Sequence, residues 1–251
     1  MKNTPNNAPR EHLIFALDVA TEIEEALAWV ERLRDHVGMF KVGKESFAGY
    51  GPEIVREIRV RGGKVFLDLK FHDIPHTVAR AAEVSARMGV SMFNVHALGG
   101  ERMMAEAVSA AVRTAREADI VVPIVLAVTV LTSLGDDDLK GLGFQCSAGE
   151  LTVHLAKMAQ NAGIHGVVAS ARDVSAVREA CGWDFVIVTP GIRSTTDIPG
   201  DDQKRTLTPA EAIGRGADYL VVGRPILLAQ DPVHAADDIS GDIVTGLLLR
   251  Q

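Results

Sequence analysis

The sequence predicts a single-domain α/β protein of the (β/α)8 TIM-barrel class, and three observations carry that expectation. Eight short runs rich in β-branched and aliphatic residues recur along the 251-residue chain. Most of these runs are continuous rather than alternating, as expected of strands buried on both faces of a parallel sheet. The segments between them have helical periodicity, so strand and helix alternate from end to end.

The first run, IFALDV from Ile14, leads into TEIEEALAWVERLRDH, where Ile23, Ala26, Leu27, Val30 and Leu33 recur at three- and four-residue intervals. Glu and Arg fill the opposite face, which is the pattern of an amphipathic helix. Thr21 followed by Glu24 has the spacing of a capping box and would start that helix. MFKVG from Met39 and KVFLDLK from Lys64 supply the second and third strands. SMFNVHA from Ser91 is the fourth, followed by a helix whose apolar face is Met103, Met104, Ala107, Val108 and Ala111. IVVPIVLAVTV from Ile120 is the fifth, and Leu151, Leu155, Met158 and Ala159 mark the helix ahead of GVVAS from Gly166. FVIVTPG from Phe185 and YLVVGR from Tyr219 complete the set. The methionines on these faces read as core filler rather than ligands, and Trp29 and Trp183 as single packing aromatics.

A doubly wound open sheet is the alternative architecture. Against it, no G-x-G-x-x-G follows the first strand, which continues as LDVATEIEE. No composition break divides the chain, so residues 12–251 are expected to form one barrel domain after a disordered polar tail, 1–11.

Composition limits the partners. With 47% hydrophobic and 24% charged residues the chain is ordinary globular material, and its formal net charge of -7 argues against nucleic acid or an anionic membrane surface. MKNTPNNAPREH lacks an apolar h-region and IVVPIVLAVTVL is too short to span a bilayer, so a cytoplasmic location is expected. Cys146 and Cys181 are isolated, with no metal-ligand spacing, and read as reduced thiols.

The chemistry of such barrels is built at the C-terminal ends of the strands. Here those ends carry Asp18, Lys41, then Asp68 and Lys70 in LDLK, then Asn94 and His96, then Thr129 and LTS. Asp68 and Lys70 are two apart on one strand, which directs both side chains to the same face. If that face is the barrel interior, opposite charges stand side by side at the mouth, with Lys41 joining from the neighbouring strand. A salt-bridge network that merely seals the barrel is the competing reading. At the other end of the chain, TPGIR and VVGR place Gly191, Arg193, Gly223 and Arg224 after the seventh and eighth strands. That is where barrels commonly hold phosphate, with glycine admitting close backbone approach and arginine a bidentate contact. Gln203, in a polar loop, is a neutral donor placed to close over such a ligand. The long connection after Val130, LTSLGDDDLKGLGFQCSAG, is either a loop that closes over a ligand or a surface insertion. Its Asp136, Asp137 and Asp138 read as a solvated loop. His72 and His76 flank Asp73 without a further carboxylate at ligand spacing, so no metal is expected there.

DLKFHDIPHTV, taken with ALDV, FKVG, LTS, TPGIR, a loop glutamine and VVGR in that order, resembles the bacterial type of orotidine 5'-phosphate decarboxylase family from about His12 to the final helix. Among phosphate-binding barrels the block D-x-K-x-x-D-I-P-x-T is highly specific for that family, whereas D-x-K alone is shared with relatives such as hexulose-phosphate synthase. The resemblance implies conversion of orotidine 5'-phosphate to UMP and CO2 without a cofactor, as the last step of de novo pyrimidine synthesis. It implies that Lys70 protonates C6, that Asp68 stands near the departing carboxylate, and that Lys41 and Asp73 complete an alternating array. It also implies a homodimer in which Asp73 and Thr77 enter the neighbouring subunit's site. Asp18 and Lys41 are then expected at the ribose, Thr132 and Ser133 at the pyrimidine, and Pro190, Arg193, Gln203, Gly223 and Arg224 with the phosphate. Two other readings stay open: a metal-dependent aldolase or epimerase of a sugar phosphate, and a non-catalytic phosphate-ligand barrel.

Overall fold

Each of the eight apolar runs becomes a parallel strand: β1 (Leu13–Ala16), β2 (Met39–Gly43), β3 (Val65–Phe71), β4 (Met92–His96), β5 (Ile124–Val128), β6 (Gly166–Val168), β7 (Val186–Pro190) and β8 (Tyr219–Val222). They pair in sequence order, and β8 returns to β1 through Leu13 opposite Leu220, closing the barrel. The computed structural model describes residues 8–18, 22–192 and 207–250.

The helices are α1 (Ile23–Leu33), α2 (Lys44–Tyr50), α3 (Pro52–Val60), α4 (Pro75–Arg87), α5 (Glu101–Glu117), α6 (Asp136–Gly141), α7 (Ala148–Asn161), α8 (Val174–Cys181), α9 (Pro209–Gly214), α10 (Arg224–Leu227) and α11 (Pro232–Leu248). Their apolar stripes are the expected ones: Ala26, Val30 and Leu33 on α1, and Met103, Met104, Ala107 and Ala111 on α5, are all buried. Two hydrophobic layers result. One lies between strands and helices. The other fills the barrel with Ile14, Met39, Phe66, Met92, Leu126, Val188 and Val221, so the interior is a packed core open to chemistry only at its rim. Among the described residues no helix is long and apolar enough to cross a membrane, and both cysteines are free thiols.

The sequence expectations differ from the structure in five places. β5 begins at Ile124 rather than Ile120, because Pro123 has no N–H to give the ladder. Two helices, not one, join β2 to β3. They are divided at Gly51, whose φ of 59° breaks α2 before Pro52 starts α3. Asp136, Asp137 and Asp138 form the first turn of α6 instead of a loop, with Asp138 accepting the Gly135 N–H at 2.8 Å. Carboxylates suit a helix N-terminus because of its unpaired N–H groups. Glu22 is the N-cap of α1 and makes no side-chain cap bond; Thr21, expected there, lies outside the described residues. The expected tail, 1–11, includes Pro9–Glu11, which with His12 form a 3-10 turn, and Glu11 accepts from Lys64 at 2.6 Å.

Candidate active site

Four charged side chains form an alternating line at the C-terminal rim. The Lys41 ammonium donates to both Asp18 oxygens at 2.9 and 3.1 Å. It lies 3.6 Å from Asp68, and the Lys70 ammonium donates to Asp68 Oδ1 at 2.7 Å. The order is therefore carboxylate, ammonium, carboxylate, ammonium, drawn from the segment just after β1 and from β2 and β3. Lys41 is 8% exposed, so its ammonium is met by these carboxylates rather than by water. Gly43 makes room for them. A Cβ there would come within 2.6 Å of Asp18 Oδ1 and 3.1 Å of Lys41 Nζ.

Burial pushes the Asp68 carboxyl up, but Lys41, Lys70 and the bonds donated by Lys70 and Asn94 outweigh it and hold the group below the usual aspartate range. Asp68 is thus an anion at neutral pH. Burial, with His72, Lys70 and Lys44 nearby, lowers His96 to about 4, so its ring is neutral. That ring stacks on His72 at a centroid distance of 5.3 Å.

The pairing of Asp68 with Lys70 is not that of a regular strand. Lys70 has φ of 54°, one of two non-glycine residues with positive φ among those described. The β3–β4 register shifts between Leu67 and Phe71, the mark of a bulge. A left-handed lysine costs about 1–2 kcal/mol and persists only where its surroundings hold it, commonly at functional sites. One hold is Asn94 on β4, which accepts the Lys70 backbone N–H at 2.8 Å and donates to Asp68 Oδ1 at 2.6 Å.

Two adjoining cavities share Lys41, Pro190 and Val221. The first, about 190 Å³, has Lys41, Asp68, Lys70 and Thr132 set against an apolar wall of Phe66, Val128, Val168 and Val221. The second, about 360 Å³, is lined by Asp18, Lys41, Pro190, Gly191, Gly223 and Arg224. Gly191 has φ of 76°, a turn that favours glycine. The structure therefore gathers Asp18, Lys41, Asp68, Lys70, Thr132, Pro190, Gly223 and Arg224 around connected space. Ser133 is exposed and not part of the wall of either cavity. Asp73 and Thr77 are also exposed, off the cavity, and among the described residues the Asp73 carboxylate accepts only its neighbour's N–H, from Ile74 at 2.6 Å. Arg193 and Gln203 lie outside the described residues. In the sequence Asn94 stands at the end of the fourth apolar run with no role attached to it.

The family described as orotidine 5'-phosphate decarboxylase / HUMPS matches residues 11–239. The chain belongs to that family. Relatives share most of its length: the orotidine 5'-phosphate decarboxylase of Syntrophus aciditrophicus is 57% identical over 249 residues, covering 99% of each chain. That of Geobacter metallireducens is 53% identical over 237 residues, covering 94% of this chain and 98% of the relative. Among solved structures, orotidine 5'-phosphate decarboxylase from Lactobacillus acidophilus superposes with a TM-score of 0.80 at 38% identity, covering 92% of this family member and 98% of that chain.

Proposed function

We propose that this protein decarboxylates orotidine 5'-phosphate to UMP and CO2 without a cofactor, as the final step of UMP synthesis. The observation that carries this reading is the Asp18–Lys41–Asp68–Lys70 line facing an apolar cavity. Breaking the C6–carboxylate bond leaves an electron pair on C6 with no adjacent carbonyl or cofactor to delocalise it. A fixed ammonium at that carbon stabilises the developing charge and then gives it a proton, leaving UMP, CO2 and a neutral amine that regains its proton from water. Lys70 takes this role. Asp68 fixes the ammonium and stands beside the departing carboxylate. The adjoining cavities, about 190 and 360 Å³, together fall in the usual range of roughly 300–1,000 Å³ for a small-molecule site.

The substrate is laid across them by chemistry. The pyrimidine meets Thr132 and the apolar wall, with Ser133 reaching it only if the exposed segment after Thr132 moves inward, and the ribose hydroxyls meet Asp18 and Lys41. The phosphate lies with Pro190, Gly223 and Arg224, joined by Arg193 and Gln203. Asp73 and Thr77, exposed at the start of α4, complete the site of a second subunit in a homodimer. Remote phosphate contacts supply binding energy that orients the reacting carbon.

The purified protein is expected to consume orotidine 5'-phosphate, followed by its absorbance, and to form one UMP per molecule lost in buffer containing EDTA. No turnover of orotidine 5'-phosphate, with a reaction on a pentulose or hexulose phosphate that chelation abolishes and a divalent cation restores, would favour the aldolase or epimerase reading. UMP binding without turnover would favour a non-catalytic barrel.

A further inference from the structure

We propose that Asn94 is a positioning residue, whose one amide holds both the left-handed backbone of Lys70 and the carboxylate beside its ammonium. Asn94 is fully buried, at 0% exposure, and lies on β4 opposite the stretch of β3 where the register slips. Its two ends do different work. The Oδ1 atom accepts the Lys70 N–H at 2.8 Å, and the Nδ2 group donates to Asp68 Oδ1 at 2.6 Å. The amide orientation is unambiguous, because an N–H faces one end and a carboxylate the other.

The bulge takes Lys70 out of the regular ladder, so its part-buried N–H needs a partner from elsewhere. An apolar side chain of the same size would fill the space and leave that N–H and the inner Asp68 oxygen short of a bond. Asparagine satisfies both at once. It thereby ties the backbone from which the Lys70 side chain springs to the carboxylate that the same ammonium meets at 2.7 Å. Released from Asn94, Lys70 relaxes toward extended backbone and its ammonium shifts, and a misplacement of about 1 Å costs on the order of 10²-fold in rate. The effect falls on kcat, because the shift concerns the group that acts at C6 and leaves the phosphate and ribose contacts alone.

The catalytic part rests on the decarboxylase reading, so the experiment has two readouts. The first is turnover of orotidine 5'-phosphate and UMP affinity for wild type, Asn94→Ala and Asn94→Asp. The second, independent of turnover, is hydrogen exchange at the Lys70 backbone amide. Asn94→Ala is expected to lower kcat about 10²-fold, with the UMP Kd within about threefold of wild type, and to speed Lys70 exchange at least about tenfold. Asn94→Asp keeps the acceptor but sets a second carboxylate against Asp68. It should keep Lys70 exchange near wild type and still lose kcat, because the Asp68 half of the hold is gone.

A kcat for Asn94→Ala within about threefold of wild type would overturn the proposal, as would a loss matched by an equal loss of UMP affinity. Should Asn94→Ala fail to fold, the isosteric Asn94→Asp decides alone, and wild-type kcat in that variant overturns the proposal. An inactive wild type would count against the decarboxylase reading only. In that case accelerated Lys70 exchange in Asn94→Ala supports the hold, and unchanged exchange refutes it.

Discussion

Lys70→Ala is expected to lower kcat for orotidine 5'-phosphate decarboxylation by at least about 10³-fold while UMP still binds. The size follows from one interaction. At an effective dielectric near 20, unit charges ~4 Å apart interact by ~4 kcal/mol, close to three powers of ten in rate if the interaction exists only as charge builds on C6. The variant also loses its proton donor, so the estimate is a lower bound. UMP binding survives because the ribose and phosphate contacts assigned to Asp18, Lys41, Gly223 and Arg224 are untouched. Removing Lys70 also leaves Asp68 with Lys41 at 3.6 Å and the Asn94 amide at 2.6 Å, so no buried carboxylate is stranded. Turnover in Lys70→Ala within tenfold of wild type, measured by UMP formation, would sink the proposed mechanism.

The second large effect comes from mixing two dead variants. Asp73 lies three residues beyond Lys70, yet its carboxylate is exposed, belongs to the wall of neither cavity and accepts the Ile74 N–H. Pro75 opens α4 and Ile74 is extended, with ψ of 152°. Asp73 is therefore presented on a short rigid segment. If it serves a partner's site, Lys70→Ala and Asp73→Asn subunits are each inactive alone. A mixed dimer then joins an intact Lys70 to an intact Asp73 at one of its two sites. Equal mixing with free exchange should restore about a quarter of wild-type activity, since about half the dimers are mixed and each has one working site. Assayed after exchange is verified by mass, activity no greater than the sum of the separate variants would contradict the shared site.

The barrel was legible in the sequence because its signals are local. Runs such as KVFL and IVLAV need only burial on two faces, and the stripes of α1 and α5 need only helical spacing. That Asp68 and Lys70 meet was legible too, although the regular-strand period that suggested it is broken by the bulge at Lys70. The backbone that produces it was not. Nothing in DLKF announces a left-handed Lys70, because that conformation depends on Asn94, 24 residues further on and on another strand. The start of β5 and the first turn of α6 were misread where one proline and one helix N-terminus overrode composition. Asp73 and Thr77 gained a site role in the sequence reading only from the family resemblance, since a contact between subunits leaves no period in a single chain.

A crystal structure with UMP bound tests the central claim most directly. The account predicts the Lys70 ammonium within about 3.5 Å of pyrimidine C6, the ring against Phe66, Val128 and Val221, and the phosphate beside Gly191, Gly223 and Arg224. UMP bound with C6 turned away from Lys70, or seated outside these cavities, would contradict it.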